Sequence, residues 1–300
     1  MVSVAQNPTY DMPGKDEKPR EINATKFGLR YAVGARQGRR PHMEDYHFEQ
    51  VGLSNDPPLN EWSFFSIHDG HGGSDAARFT ARHMLDELLP GLDQIALHVD
   101  RMGSEKEIES VYKSACLKMD KRLRQDNATD NSSGCTTICA TTTPNSIIIA
   151  NLGDSRALLS YRNGKYIATK DHKPTSPTER KRIKEAGSAV INGRVAANLA
   201  LSRALGDFEF KDVPGLPPTK QPVSAEPDVY ILERNPGNDE FLILASDGIF
   251  DVFENDELQQ YIRKLLKSSR NLEDVVNEVL EETFLRGSLD NMTFILIVFN

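Results

Sequence analysis

The chain has 300 residues, with 36 Lys and Arg against 44 Asp and Glu, a formal net charge of −8 and 38% hydrophobic residues. At this length roughly three quarters of the unfolded surface is buried on folding, so neither disulfides nor a structural metal is needed to hold a core together. The acidic balance, without a long Lys/Arg block, leaves no footprint for nucleic acid or an anionic membrane, and apolar stretches such as 147–150 and 294–299 fall far short of the ~18 residues of a membrane span.

In chain order, residues 1–25 hold Pro8, Pro13, Gly14, alternating charges and Pro19 without apolar periodicity, which predicts a disordered leader. Residues 26–300 show no repeat and no second linker, so one domain is expected. Short β-branched or aromatic runs predict strands at 29–35, 62–68, 135–142, 146–150, 157–161, 166–169, 241–245 and 293–299. Asn163-Gly164 predicts a type I′ hairpin turn between two of them. Helices are expected at 74–89, after the capping box Ser104/Glu107, after Ser176-Pro177-Thr178-Glu179 with Gly187 as stop, at 255–266, and at 271–286 ended by Gly287. Antiparallel-looking strand pairs with grouped helices give an α+β pattern. Between 171 and 228 prolines recur and only one helix is signalled, so this stretch reads as a large, functional excursion.

Three cysteines, Cys116, Cys135 and Cys139, are odd in number and follow no signal-peptide pattern, which favours a reducing setting, cytoplasmic and/or nuclear. Cys135 and Cys139 read as small apolar fillers. His68 falls inside an apolar strand and reads as packed, whereas His71 lies in a glycine-rich turn where a mobile imidazole can serve as a general acid.

Asp69, Asp154 and Asp247 each end or follow an apolar strand beside a glycine, and Asp290 precedes the last strand. Any one of them is most simply a turn residue. Four at strand ends can converge on one rim of a sheet, where cations must neutralise them if they are to stay ionised. An all-oxygen donor set favours Mg²⁺ or Mn²⁺ over zinc. In the segment 36–45, Arg36, Arg39 and Arg40 run into Glu44 and Asp45, which offers a guanidinium fork for phosphate oxygens and a further carboxylate for metal.

Arg40-Pro-His-Met-Glu44-Asp45, Asp69-Gly-His71-Gly-Gly, Gly134-Cys-Thr-Thr, Gly153-Asp154-Ser-Arg-Ala, Leu201-Ser-Arg-Ala-Leu-Gly-Asp207, Ser246-Asp247-Gly-Ile-Phe-Asp251 and Asp290-Asn291-Met-Thr293 occur in one order along the chain. This set, spanning about 27–300, resembles the metal-dependent type 2C protein phosphatases. The resemblance implies a four-layer α-β-β-α sandwich of two antiparallel sheets flanked by helices, with an irregular flap at about 172–206. It implies two Mn²⁺ or Mg²⁺ ions and room for a weaker third. Asp69 would bridge, with Asp247 and Asp290 on one ion, the Gly70 carbonyl on the other and Glu44 an additional ligand. Asp154 matches the third-metal position, while Asp45 and Asp251 would support the ligands. Arg40 would bind phosphate, His71 would act as general acid and Arg194 would face substrate from the flap. Arg39 stands where many relatives have Trp, and Gly134-Cys135-Thr136 stands for the commoner Gly-Ser-Thr.

The implied reaction is hydrolysis of phosphoserine or phosphothreonine by a water or hydroxide bridging the two ions, without a protein nucleophile. The expected partners are phosphorylated proteins, with no nucleic acid, no membrane and a monomeric chain. A pseudophosphatase scaffold of the same fold is the competing reading, against which Asp69, Asp247, Asp290, Arg40 and His71 are all present. A Ca²⁺-stabilised binding domain would need neither Arg40 nor His71.

Overall fold

A computed structural model describes residues 16–24, 27–96, 105–125, 129–130, 132–269 and 271–300. In chain order the elements are β1 (Asp16–Ala24), β2 (Leu29–Arg36), β3 (Tyr46–Val51), β4 (Ser63–His68), β5 (Gly70–His71), α1 (Asp75–Ala96), α2 (Glu105–Gln125), β6 (Gly134–Cys135), β7 (Thr137–Thr142), β8 (Ser146–Leu152), β9 (Arg156–Tyr161) and β10 (Tyr166–Ala168). They continue with α3 (Pro177–Glu185), β11 (Val190–Ile191), β12 (Arg194–Val195), β13 (Leu205–Gly206), β14 (Asp228–Glu233), β15 (Asp239–Ala245), α4 (Asp247–Phe250), α5 (Asn255–Ser268), α6 (Leu272–Leu285) and β16 (Met292–Phe299).

Strands β1-β2-β16-β15-β9-β10 form one antiparallel sheet and β14-β8-β7-β4-β3 another. Their apolar runs are continuous rather than alternating because each strand feeds two cores. Phe65, Ile67, Ile147 and Ile149 meet Val33, Leu159, Leu242, Leu244, Ile295 and Ile297 between the sheets. The intervening residues point outward: Phe64, Cys139 and Ile148 pack under α1 and α2, and Phe241, Ile243, Phe294 and Leu296 under α5 and α6. Successive side chains of a strand face opposite sides, so this division follows directly from the period of two. The result is the expected four-layer sandwich. Cys116, Cys135 and Cys139 are free and buried, which fits the reading of Cys135 and Cys139 as fillers.

Three local expectations are corrected. The leader of 1–25 does not extend so far: residues 16–24 form β1, paired with β2 from Asp16↔Arg36 to Ala24↔Leu29, while 1–15 lie outside the described residues. The alternating charges that suggested disorder are matched to partners. His47 Nε2 meets Glu17 at 2.7 Å and Nδ1 meets Glu49 at 2.5 Å, Arg20 Nη2 donates to Glu49 at 2.8 Å, and Glu21 accepts from the Leu272 N–H at 2.7 Å. Second, the hairpin after β9 is closed by Gly164 alone at positive φ (94°), with the Gly164 N–H donating to the Tyr161 carbonyl. This is a three-residue loop with one left-handed glycine rather than a type I′ turn. Third, the strand expected at 135–142 breaks at Thr136, whose N–H turns to the Asp69 carbonyl at 2.9 Å. The Ser104 end of the capping box lies outside the described residues.

Burial alone would lower the His47 pKa, but the charges and hydrogen bonds of Glu49 and Glu17 push it up to about 10. A folded-state pKa raised from 6.5 contributes stability that is complete below about pH 6.5 and is lost as pH climbs through about 10. We expect thermal unfolding to show a stability loss of roughly 2–4 kcal/mol across that window, and His47→Gln to flatten it. An unchanged slope in the variant would detach β1 from this ion pair.

Candidate active site

The register brings one end of every central strand to the same rim. Ala245 pairs with Arg156 and Phe294, Met292 pairs with Arg36, and in the other sheet Tyr46 pairs with His68 and Thr137 with Leu152. Residues just beyond those ends therefore gather: Arg40, Glu44 and Asp45 between β2 and β3, Asp69 after β4, Asp154 between β8 and β9, Asp247 after β15, and Asp290 before β16.

Asp45 is the deepest of them. Its Oδ2 accepts from Ser246 Oγ and Thr293 Oγ1, both at 2.8 Å, so it ties β15 to β16. Its Oδ1 has no partner. Burial, with Asp290 adding to it, raises its pKa to about 6 against the bonds from Thr293 and Ser246. Asp69 is pushed well above the usual carboxylate range by loss of water and then by the charges of Asp45, Asp247, Asp154 and Asp290. Asp247 is raised in the same way, by desolvation and then by Asp154, Asp251 and Asp290, and its Oδ1 is also unpartnered. Asp251, at the end of the α4 turn, is raised by desolvation too.

Positive charge enters from two side chains. Arg40 Nη2 donates to Asp290 Oδ2 at 2.5 Å while the rest of its guanidinium stays exposed, and Lys173 Nζ donates to Asp154 Oδ2. Lys173 carried no signal in the sequence beyond its place at the foot of the Pro-rich excursion. Asn291 was quoted with its motif but given no role. Its Oδ1 accepts from the Glu44 N–H at 2.8 Å and its Nδ2 donates to the Gln37 and His42 carbonyls, so it fastens the Arg40/Glu44 loop to the start of β16. The glycines beside the carboxylates permit this crowding. A Cβ on Gly70 would lie 2.5 Å from the Glu44 carbonyl oxygen, and one on Gly248 would lie 2.1 Å from that of Asn291.

His68 is packed as expected, with its ring nitrogens 3.1 Å from Thr137 Oγ1 and 3.0 Å from Ser66 Oγ. His71 is not the mobile imidazole of the sequence reading: it belongs to β5, and its Nε2 lies 2.9 and 2.8 Å from the two carboxylate oxygens of Asp207. Burial lowers its pKa, but Asp207 and then Asp154 and Glu44 raise it further, for a net upward shift. Arg39 stacks on Phe284 at 4.5 Å and donates to the Ser288 carbonyl, which gives it a packing role. Arg194 is not gathered with the carboxylates. It is exposed on the β11–β12 hairpin and donates to the Asn198 carbonyl of its own loop.

Among the described residues no three His, Cys, Asp or Glu side chains stand in a ready-made metal cage. The donor chemistry nevertheless fits hard divalent ions: oxygen ligands only, several buried like charges, and unpartnered oxygens on Asp45 and Asp247 that an inward cation would satisfy.

The protein phosphatase 2C family model matches residues 29–292. Protein phosphatase ppm-1.A of Caenorhabditis elegans is 40% identical over 96% of the chain, and human protein phosphatase 1B is 41% identical over 91%. The chain spans 63% and 58% of those two relatives' lengths. A crystal structure of a phosphatase from a pathogenic strain of Toxoplasma gondii superposes with a TM-score of 0.76 at 25% identity, covering 91% of this chain and 93% of that one. The chain belongs to the protein phosphatase 2C family, whose members are metal-dependent.

Proposed function

We propose that the chain is a metal-dependent protein serine/threonine phosphatase acting on phosphorylated proteins. The observation that carries this is the rim of mutually repelling carboxylates, Asp69, Asp247, Asp45, Asp154 and Asp290, set beside Arg40 and a carboxylate-held His71. Asp69, Asp247, Asp290, Glu44 and the Gly70 carbonyl would hold two Mn²⁺ or Mg²⁺ ions, with Asp154 at the position of a weaker third and Asp45 and Asp251 supporting the ligands. Bound divalent ions would withdraw charge from the phosphoryl oxygens and acidify a water enough to make it a nucleophile at neutral pH.

The chain's own residues supply the rest. Arg40 is held at one edge by Asp290, which leaves guanidinium N–H groups for the phosphate oxygens. His71 would protonate the departing seryl or threonyl oxygen, a leaving group too basic to go unaided. Asp45 holds Ser246 and Thr293, and so fixes the two strand ends that carry Asp247 and Asp290. A monomer working in the cytoplasm or nucleus, without nucleic acid or membrane partners, completes the reading. No helix among the described residues is long and apolar enough to cross a membrane.

The test is hydrolysis of a phosphothreonine peptide by the purified chain. EDTA should abolish it and Mn²⁺ or Mg²⁺ restore it; full activity in EDTA overturns the metal-dependent reading, and no activity with either ion turns the chain into a binding module. Arg194 gives a second readout. On an exposed hairpin it can meet an acidic partner but has no contact with the rim, so Arg194→Ala should raise KM for a phosphoprotein about three- to tenfold, the size of one exposed charged contact. It should leave kcat on p-nitrophenyl phosphate unchanged. Equal losses of kcat on both substrates would move the flap into the catalytic centre.

A further inference from the structure

The Asp207 carboxylate lies within hydrogen-bond distance of the His71 ring, with Nε2 2.9 and 2.8 Å from its two oxygens. Strands β5, β6 and β13 form a small sheet in which His71 pairs with Gly134 and Gly134 pairs with Gly206. The middle position carries no side chain, so His71 and Asp207 meet across it. A Cβ on Gly134 would lie 2.4 Å from Asp207 Oδ2, which shows that the carboxylate rests directly on this glycine. Asp207 is buried and left-handed (φ 50°), a conformation that costs an Asp little but is uncommon outside glycine.

Several bonds hold it there. The Asp207 N–H donates to the Ser133 carbonyl at 3.0 Å, and the Gly206 N–H donates to Asp120 Oδ1 of α2 at 2.9 Å. Lys211 Nζ bridges Asp120 Oδ1 at 2.6 Å and the Ala204 carbonyl at 2.8 Å. The αL turn is thus clamped between α2 and β6, and the side chain it aims at His71 has little freedom to leave.

We propose that Asp207 is the positioning residue for His71, engaging Nε2 so that Nδ1 is the nitrogen that hands its proton to the leaving oxygen. The proposal rests on the general-acid reading of His71. In the step, the P–O bond breaks with its electron pair remaining on the seryl oxygen, which takes the Nδ1 proton. The ring is left neutral with its Nε2–H donated to Asp207, the tautomer that a fixed carboxylate selects.

The experiment uses Asp207→Gly, which keeps the left-handed backbone without strain, and Asp207→Asn, which keeps one acceptor and tolerates αL. Asp207→Gly should slow a phosphoserine peptide at least tenfold more than p-nitrophenyl phosphate, with KM within about threefold. Asp207→Asn should fall between the glycine variant and the parent. In a His71→Gln background, Asp207→Gly should add less than twofold. The long-range ¹H–¹⁵N spectrum of His71 should show a single Nε2–H tautomer in the parent and a mixture in Asp207→Gly. Equal slowing of both substrates by Asp207→Gly, or its full loss persisting in the His71→Gln background, overturns the proposal. If His71→Gln itself slows both substrates equally, the general-acid reading fails. An unchanged His71 spectrum in Asp207→Gly then removes the positioning role as well, whereas a changed one keeps it.

Discussion

Asp247→Asn is expected to cost at least roughly a thousandfold in kcat, on the scale of losing one preorganised electrostatic contact to the transition state, while making the metal-free chain more stable. Both effects have one origin. Asp247 is poorly hydrated, faces Asp154, Asp251 and Asp290, and leaves one oxygen unpartnered. Its folded-state pKa is raised, so above that pKa the fold holds an anion it disfavours, and the stability contributed by this group decreases as pH climbs from the usual carboxylate range. Replacing the charge by an amide relieves about 1–3 kcal/mol, the range for an unsatisfied buried group. In EDTA, thermal unfolding of Asp247→Asn should therefore move up by a few degrees and lose part of its slope with pH. Added Mn²⁺ should raise the melting temperature of the parent, since a ligand of the folded state stabilises it, and should do much less for the variant. Asp69→Asn should behave alike, because Asp69 carries the same crowding from Asp45, Asp247, Asp154 and Asp290. A variant less stable than the parent in EDTA would make Asp247 a structural acceptor and remove it from the ligand set.

Asp69, Asp154 and Asp247 were legible because each announces itself locally, as an Asp beside a glycine at the end of an apolar run, and Asp290 because it stands just before the last strand. Their convergence was legible too, since antiparallel register sends alternate strand ends to one edge. Asp207 was not, although it stands in a motif quoted from the sequence. Its role depends on a left-handed backbone angle and on a glycine, Gly134, more than seventy residues earlier in the chain. Lys173 and Asn291 were hidden for the same reason: their partners, Asp154 and Glu44, are brought to them by the sandwich and not by sequence neighbourhood. In the fold, strands buried on both faces were found from apolar content, whereas β1, β3 and β14 were missed. Each is an edge strand and is half-exposed, so polar residues dilute the signal. The charges of β1 looked like disorder because their partners, His47, Glu49 and Leu272, lie on other elements.

Glu179→Ala is the substitution expected to damage the fold most, and it does so in the flap. The segment that reads from its prolines as a large excursion has a small core of its own, Ile183, Val195, Leu201, Ala204 and Val223. A buried carboxylate helps tie it to the sandwich, beside the Lys173–Asp154 contact and the β13–β6 pairing. Glu179, in the first turn of α3, accepts from Arg182 Nη1 at 2.5 Å, Arg203 Nη2 at 2.8 Å and Ser202 Oγ at 2.8 Å. Arg203 in turn reaches Asp228 and the Glu226 carbonyl at the start of β14. Burial alone would raise the Glu179 pKa, but the Arg203 hydrogen bond and the two guanidinium charges hold it down at about 2. A depressed folded-state pKa contributes stability that is present above about pH 4.5 and is lost as pH falls toward 2, on the order of 3 kcal/mol at ~1.4 kcal/mol per unit. Alanine removes that, leaves the buried Arg182 guanidinium without its carboxylate and leaves Arg203 with Asp228 alone, for a total of roughly 3–5 kcal/mol. The loss should be local first. Hydrogen exchange across 172–206 should accelerate strongly in Glu179→Ala while the amides of β7, β8, β15 and β16 stay protected, since their cores do not include α3. Protein substrates should lose affinity before p-nitrophenyl phosphate loses turnover. Uniform loss of protection through both sheets would instead show that the flap and the sandwich unfold as one unit.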